Sequence, residues 1–298
     1  GSDLGEGDIE VLDEHIIFLY NKDGIMKAFW LKMDFSDYGE TEFGVPSNWS
    51  SYGLWGSITS DKFYYESEYV WTYAVWGAYK ESTDESRIYY SYSSDEGKNW
   101  STPVVITNEY VSYFRPGLAI TYSTPIPTTG EDYVWTTWCD EFGNIRVAKL
   151  DVWTENIEKQ TVMPSSDGYW DFFSSPVINS YYDQIVVMGG ITWDEDEYGL
   201  GTDMDIAGTF SNDGGNTWGY DYSWYYWEDS DTYPDSWDML PSPTYSPSGA
   251  IGFTMIKGLS DGTDDVIYKV NFSGNLIENW TEDYIVKQDV SVYMTGSA

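Results

Sequence analysis

One eight-residue pattern, written twice, constrains this chain more than any other feature. Ser93-Ser94-Asp95-Glu96-Gly97-Lys98-Asn99-Trp100 and Ser211-Asn212-Asp213-Gly214-Gly215-Asn216-Thr217-Trp218 both carry Ser first, Asp third, Gly fifth and Trp last. The spacing describes a tight turn. A short Asp side chain folds back onto the backbone, Gly adopts φ > 0, and Trp anchors the turn in a core. A hydroxyl residue opens it. Such a turn joins neighbouring strands, so its recurrence predicts a repeated β-unit.

The rest of the chain agrees. Helical periodicity is almost absent, and short alternating strands are separated by clusters of Gly, Pro, Asn, Asp and Ser. They group into units of about 50 to 60 residues, the rhythm of a propeller. The first unit runs from Asp8 to Val45, with strands His15 to Tyr20 and Ile25 to Met33 around the turn Asn21-Lys22-Asp23-Gly24. It lacks an innermost strand, and Val290 to Thr295 is expected to supply one and close the ring. The following units run from Trp49 to Asn108, Glu109 to Met163, Ser165 to Glu228 and Asp229 to Asp289. The turn motif is lost in the third (Leu150-Asp151-Val152-Trp153) and degenerate in the fifth, where Ser273 leads to Trp280. Inner strands open on Arg115-Pro116, Ser175-Pro176 and Ser242-Pro243, a position where proline is tolerated. The expectation is one all-β domain over residues 1–298, a β-propeller of five blades, or six if Asp221 to Trp237 hides further strands.

The two full motifs resemble the Asp-box (BNR) repeat of sialidase-like β-propellers. The resemblance implies that each box sits between the third and fourth strands of a blade, away from the ligand-binding face. It speaks for fold and not for chemistry. A sialidase would need three arginines on one carboxylate, a Tyr–Glu nucleophile pair and an Asp acid/base. The chain has only Arg87, Arg115 and Arg146. Tyr113-Phe114-Arg115-Pro116 is similar to that family's arginine motif without its Ile, and Arg87 and Arg146 fall on third strands.

Charge narrows the partners. With 50 Asp plus Glu against 14 Lys plus Arg, the formal net charge is −36. Nucleic acid and anionic membranes are disfavoured, because both need a basic surface. Metal cations, basic proteins and neutral glycans remain. The single cysteine, Cys139, lies in a strand-like run and reads as a buried structural thiol. The only histidine, His15, reads as structural too. No apolar run reaches the ~18 residues of a membrane span. Four sequons, at Asn48, Asn99, Asn271 and Asn279, favour a glycosylated protein, extracellular or at a cell surface.

Ligand sites in propellers gather at the inner strands and their loops. Arg115 and the aromatic residues Trp55, Trp224, Tyr225, Trp227 and Trp237 are the candidates for a binding surface. The segment Trp193 to Asp205 is rich in hard oxygen donors and glycine, and Asp194, Asp196, Asp203 and Asp205 are candidate Ca²⁺ ligands. Ser260 to Asp265 is a second such loop. Of the acidic residues, Asp61, Asp171, Asp183 and Asp238 lie nearest the expected inner strands. The sequence selects no catalytic pair among its carboxylates. The reading is a non-catalytic binder of a glycan or protein partner, with no certain cofactor. Two alternatives stand beside it. One is a glycoside hydrolase with paired carboxylates. The other is a surface-layer or appendage protein that self-associates.

Overall fold

A computed structural model describes residues 7–44, 48–50, 56–60, 70–108, 111–113, 118–121, 133–140, 142, 144–151, 156–163, 171–179, 184–193, 203–219, 225–228, 239–245, 250–258, 264–272, 281–282 and 284–290. Among them all regular structure is β-strand, in five antiparallel sheets. The first sheet holds β1 (Asp8–Val11), β2 (His15–Lys22), β3 (Ile25–Lys32) and β4 (Tyr38–Glu42). The second holds β5 (Gly56–Ser60), β6 (Thr72–Lys80), β7 (Glu85–Ser93) and β8 (Val104–Thr107). The third holds β9 (Val111–Tyr113), β10 (Leu118–Thr121), β11 (Tyr133–Asp140), β12 (Ile145–Asp151) and β13 (Ile157–Met163). The fourth holds β14 (Asp171–Asn179), β15 (Gln184–Trp193), β16 (Asp203–Ser211) and β17 (Tyr225–Glu228). The fifth holds β18 (Met239–Tyr245), β19 (Ile251–Gly258), β20 (Asp264–Asn271) and β21 (Tyr284–Val290). Each is a meander in sequence order, with β9 and β10 both paired to β11.

Contacts divide the chain into two compact units, Gly1–Glu141 with Arg146–Gln160, and Phe142–Ile145 with Thr161–Ala298. Within the first unit, successive sheets pack face to face. Ile17, Leu19, Met26 and Ala28 of the first sheet meet Ile58, Ala74, Trp76 and Tyr89 of the second. The other face of the second sheet, through Tyr73, Val75, Ile88 and Tyr90, meets Val134, Trp138, Ala148 and Leu150 of the third. A sheet covered on both faces needs apolar residues at successive positions, which is why β6 and β11 read as near-continuous apolar and Thr runs. In the second unit, Val186, Met188 and Ile206 pack on Ile251, Phe253, Met255 and Ile267. Trp76, Trp135, Trp138 and Phe253 are fully buried, each contributing about 1.5–3 kcal/mol of apolar burial or more.

The Asn21-to-Gly24 turn forms as the sequence predicts. Asp23 and Gly24 both have positive φ, and Asn21 Oδ1 accepts the Gly24 N–H at 3.2 Å. That is the backbone twist a two-residue hairpin needs.

Three expectations change. The first sheet is complete in itself, because Asp8–Val11 supplies its edge strand, paired Asp8↔Leu19 through Val11↔Ile16. Val290 is the last residue of β21, the fourth strand of the fifth sheet, and residues 291–298 lie outside the described residues. The prolines at 176 and 243 do not open their strands. β14 and β18 begin upstream, at Asp171 and Met239, and each has a register shift just before its Ser-Pro pair. The Arg115-Pro116 pair falls between β9 and β10, outside the described residues. Pro176 and Pro243 sit on edge strands of their sheets, where proline is tolerated.

Candidate functional site

The first strand of each sheet has only one partner in its own sheet, and these edge strands lie close together within each unit: β1 by β5, β5 by β10, and β14 by β18. Chemistry concentrates on β1. Alternation puts Asp8 and Glu10 on one face and the exposed Ile9 and Val11 on the other. Asp8 Oδ2 accepts the Ser57 hydroxyl at 2.9 Å and the Ile58 N–H at 3.1 Å, while Oδ1 accepts the Ile9 N–H at 2.8 Å. Two residues on, Glu10 accepts the hydroxyl of buried Ser60. Two half-buried carboxylates, about 7 Å apart along the strand, thus face a row of hydroxyls on the neighbouring strand. Such groups can bind sugar hydroxyls or move protons. The sequence reading missed both, although Asp8-Ile9-Glu10-Val11 alternates polar and apolar residues as a strand does. Asp171 is also on a first strand, at the start of β14.

The two repeated turns are structural and share one geometry. In the first, Ser93 Oγ accepts the Gly97 N–H at 2.9 Å, and Asp95 Oδ1 accepts the Ser93 hydroxyl and the Asn99 N–H, both at 2.8 Å. In the second, Ser211 Oγ accepts the Gly215 N–H at 2.8 Å, and Asp213 Oδ1 accepts the Ser211 hydroxyl and the Thr217 N–H, again at 2.8 Å. Gly97 and Gly215 have φ of +83° and +84°. The turns join β7 to β8 and β16 to β17. In an antiparallel meander that is the end where the first strand finishes, opposite its start. At Asp95, burial pushes the carboxyl pKa up, but hydrogen bonds from Asn99 and Ser93 outweigh it and the net displacement is downward. Asp213 is lowered by the Thr217 hydroxyl and N–H against a smaller desolvation.

The first turn also braces the first sheet. Trp100 donates Nε1–H to Gly97 O at 2.9 Å and stacks edge-on to Phe43. Buried His15 pairs through Nδ1 with Glu96. These contacts give His15 its structural role. Cys139 is buried, as expected.

The arginines of a sialidase-like site do not come together among the described residues. Arg87, on β7, has its guanidinium carbon 4.4 Å from the Trp49 ring centroid. Arg146, on β12, reaches the buried Asp140 carboxylate at 3.3 Å. Arg115, Trp55, Trp224 and Trp237 lie outside the described residues, as do Asp61, Asp183, Asp238, Asp194 and Asp196. Tyr225 and Trp227 form part of β17. Asp203 and Asp205 belong to β16, where their backbones pair with Trp193 and Ile191, so this end of the acidic segment is strand and not loop. Asp264 and Asp265 likewise open β20. Among the described residues no three His, Cys, Asp or Glu side chains cluster to hold a metal ion. Asn48 and Asn99 are exposed, while Asn279 lies outside the described residues. Asn271 is fully buried at the end of β20, which corrects its reading as a glycan acceptor: a buried amide has no room for a sugar.

No family model matches the chain, and no curated protein matches it by sequence. Solved structures do. An α-L-arabinofuranosidase of Fusarium graminearum superposes with a TM-score of 0.61 at 9% identity, over 95% of this chain and 80% of that one. A polysaccharide lyase gives 0.57 at 10% identity, over 93% and 72%. The neighbours are β-propellers. A xylan β-1,4-xylosidase of Bacillus halodurans aligns at a TM-score of 0.49 and 12% identity over 93% of this chain, which spans only 53% of that enzyme. At these identities the likeness concerns fold. It nevertheless overturns the expectation of a non-catalytic binder, because the matched structures of this fold are named for cleaving glycans.

Proposed function

We propose that the chain is a glycoside hydrolase built on a single five-bladed β-propeller over residues 1–298, with Asp-box turns bracing its second and fourth blades. The observation that carries the reading is the carboxylate pair of β1, held against the hydroxyls of β5, in a fold whose solved relatives cleave glycans. Hydrolysis of a glycosidic bond needs two carboxyl groups, one to protonate the leaving oxygen and one to activate water or attack the anomeric carbon. Asp8 is the first candidate. It stands at the start of a first strand, at the end of the sheet away from the Asp-box turns, and Ser57 and the Ile58 N–H orient it. The remaining sequons and the nature of polymeric glycans support a location outside the cell or on its surface. Ca²⁺ held by the acidic segment 194–205 would take no part in the reaction.

The test is a panel of aryl glycosides and plant and algal polysaccharides. We expect turnover of at least one member and a loss of about 100-fold or more in Asp8→Asn, with Ser57→Ala affected less. Silence across the whole panel, or an undiminished Asp8→Asn, would reject the proposal.

A further inference from the structure

The hairpin tip between β3 and β4 carries a residue that its backbone does not favour. Phe35 has φ +60° and is 76% exposed. Its N–H donates to Lys32 O at 2.8 Å, and the Lys32 N–H donates to Asp37 O at 2.9 Å, which closes the turn. Hairpins commonly give a left-handed position to glycine, because a Cβ there crowds the following carbonyl. Four non-glycine residues among those described have positive φ: Asp23, Phe35, Asp84 and Glu96. Asp84 is the left-handed residue of the β6–β7 hairpin, where its carboxylate accepts the Tyr79 hydroxyl at 2.7 Å. Glu96 pairs with His15. A phenyl ring has no polar atom with which to bond its own turn. Residues held in such backbone conformations cluster at functional sites.

The surroundings of Phe35 suit a contact surface. Met33 is 41% and Tyr38 69% exposed, and the Tyr38 ring leans on Phe29, their centroids 6.1 Å apart. The Met33 N–H donates to Glu14 O at 2.8 Å, so this turn adjoins the one between β1 and β2. The two turns carry four exposed carboxylates, Asp13, Glu14, Asp34 and Asp37, and one flanking cation, Lys32. Lys32 lies 3.8 Å from Glu14 and 3.9 Å from Asp34. The result is an apolar tip in an acidic rim. It stands at the end of the first sheet where β1 finishes, away from Asp8.

This chemistry selects an occupant. Aromatic and methionine side chains within a charged rim are the composition of protein–protein contacts. Phe35 and Met33 offer the hydroxyls of a sugar no strong hydrogen-bond partner. A second copy would bring a like net charge of −36, and nucleic acid or an anionic bilayer would be repelled as well. We infer that the β3–β4 hairpin tip docks a basic polypeptide segment. Its Lys and Arg side chains meet the carboxylates of the two turns, and its apolar side chains enclose Phe35.

The probe is a fluorescein-labelled amphipathic peptide of Lys and Leu, beside a Glu–Leu and a Lys–Ser peptide of the same length. Anisotropy titrations at low and high salt compare the intact protein with Phe35→Gly and with Phe272→Ser, which removes a phenylalanine of similar exposure elsewhere. Urea unfolding accompanies each. We expect the Lys–Leu peptide to bind wild type and Phe272→Ser alike, and Phe35→Gly at least about tenfold more weakly. Binding should weaken as salt rises, and both comparison peptides should fall at least about tenfold short. Phe35→Gly should unfold at no lower urea concentration than wild type, because glycine accepts the left-handed backbone. Loss of peptide binding without loss of stability separates docking from folding. No Lys–Leu binding, or equal binding by wild type and Phe35→Gly, overturns the inference. A lower urea midpoint for Phe35→Gly does so too, by making the ring a structural one. Dimerisation in sedimentation velocity, or retention of neutral oligosaccharides on an array, that vanishes in Phe35→Gly would assign the tip to a second copy or to a glycan instead.

Discussion

Replacing Gly97 with alanine tests how the first Asp-box turn is locked onto the sheet beside it. Gly97 has φ +83°, and a Cβ built there would lie 2.5 Å from Ile17 Cδ1 and 3.0 Å from its Cγ1. Ile17 is fully buried in the core between the first and second sheets. Two penalties therefore add. The left-handed backbone costs a non-glycine residue about 1 kcal/mol, and forcing a methyl group into a filled core costs about 1–3 kcal/mol more. The expected loss is about 2–4 kcal/mol. Gly214 supplies the control. It has φ +69°, but no atom lies within 4 Å of its would-be Cβ, and the equivalent position of the other turn is Glu96 at φ 61°. Gly214→Ala should therefore lose only about 1 kcal/mol. Urea unfolding followed by tryptophan fluorescence measures both. Ile17→Val, which removes Cδ1, should cost about 1 kcal/mol alone and less, or nothing, beside Gly97→Ala. Equal losses at Gly97 and Gly214, or strict additivity of Ile17→Val with Gly97→Ala, would refute the packing argument.

Three further outcomes are expected. Asp213→Ala should destabilise by about 1 kcal/mol. Because the folded-state carboxyl titrates below its ordinary 3.8, its contribution is complete above that value and fades as pH falls through the lower folded one, so wild type and variant should converge in acid melts. Lys27→Met leaves Glu40 and Glu42 facing each other with Tyr20, whose hydroxyl is pushed up to about 12 by burial and by its bond to Glu40. The loss should reach about 1 kcal/mol at low salt and shrink in molar salt; a salt-independent loss would show that Lys27 acts by packing alone. In a glycosylating host, peptide mapping should find Asn48 modified and Asn271 bare, and a glycan on Asn271 would contradict its burial.

What the sequence determined by itself is local. The Asp-box turns, the Asp23-Gly24 hairpin and the strand rhythm are legible because their hydrogen bonds join residues two to four apart, as Ser93 with Asp95 and Gly97. Their chemistry is complete within a few residues, so the pattern alone specifies them. The candidate site is of the other kind. β1 has four residues, too few to stand out, and Asp8 acquires meaning only from Ser57, 49 residues away. Glu10 depends in the same way on Ser60, 50 residues on. Sequons show the same division: Asn48 and Asn271 carry equivalent local signals, and one is exposed while the other is fully buried. Burial and the meeting of side chains from different sheets depend on how sheets stack, which no local pattern encodes. Only the tertiary structure brought the carboxylates of β1 to the hydroxyls of β5, because side chains on two edge strands converge only after their sheets have packed face to face.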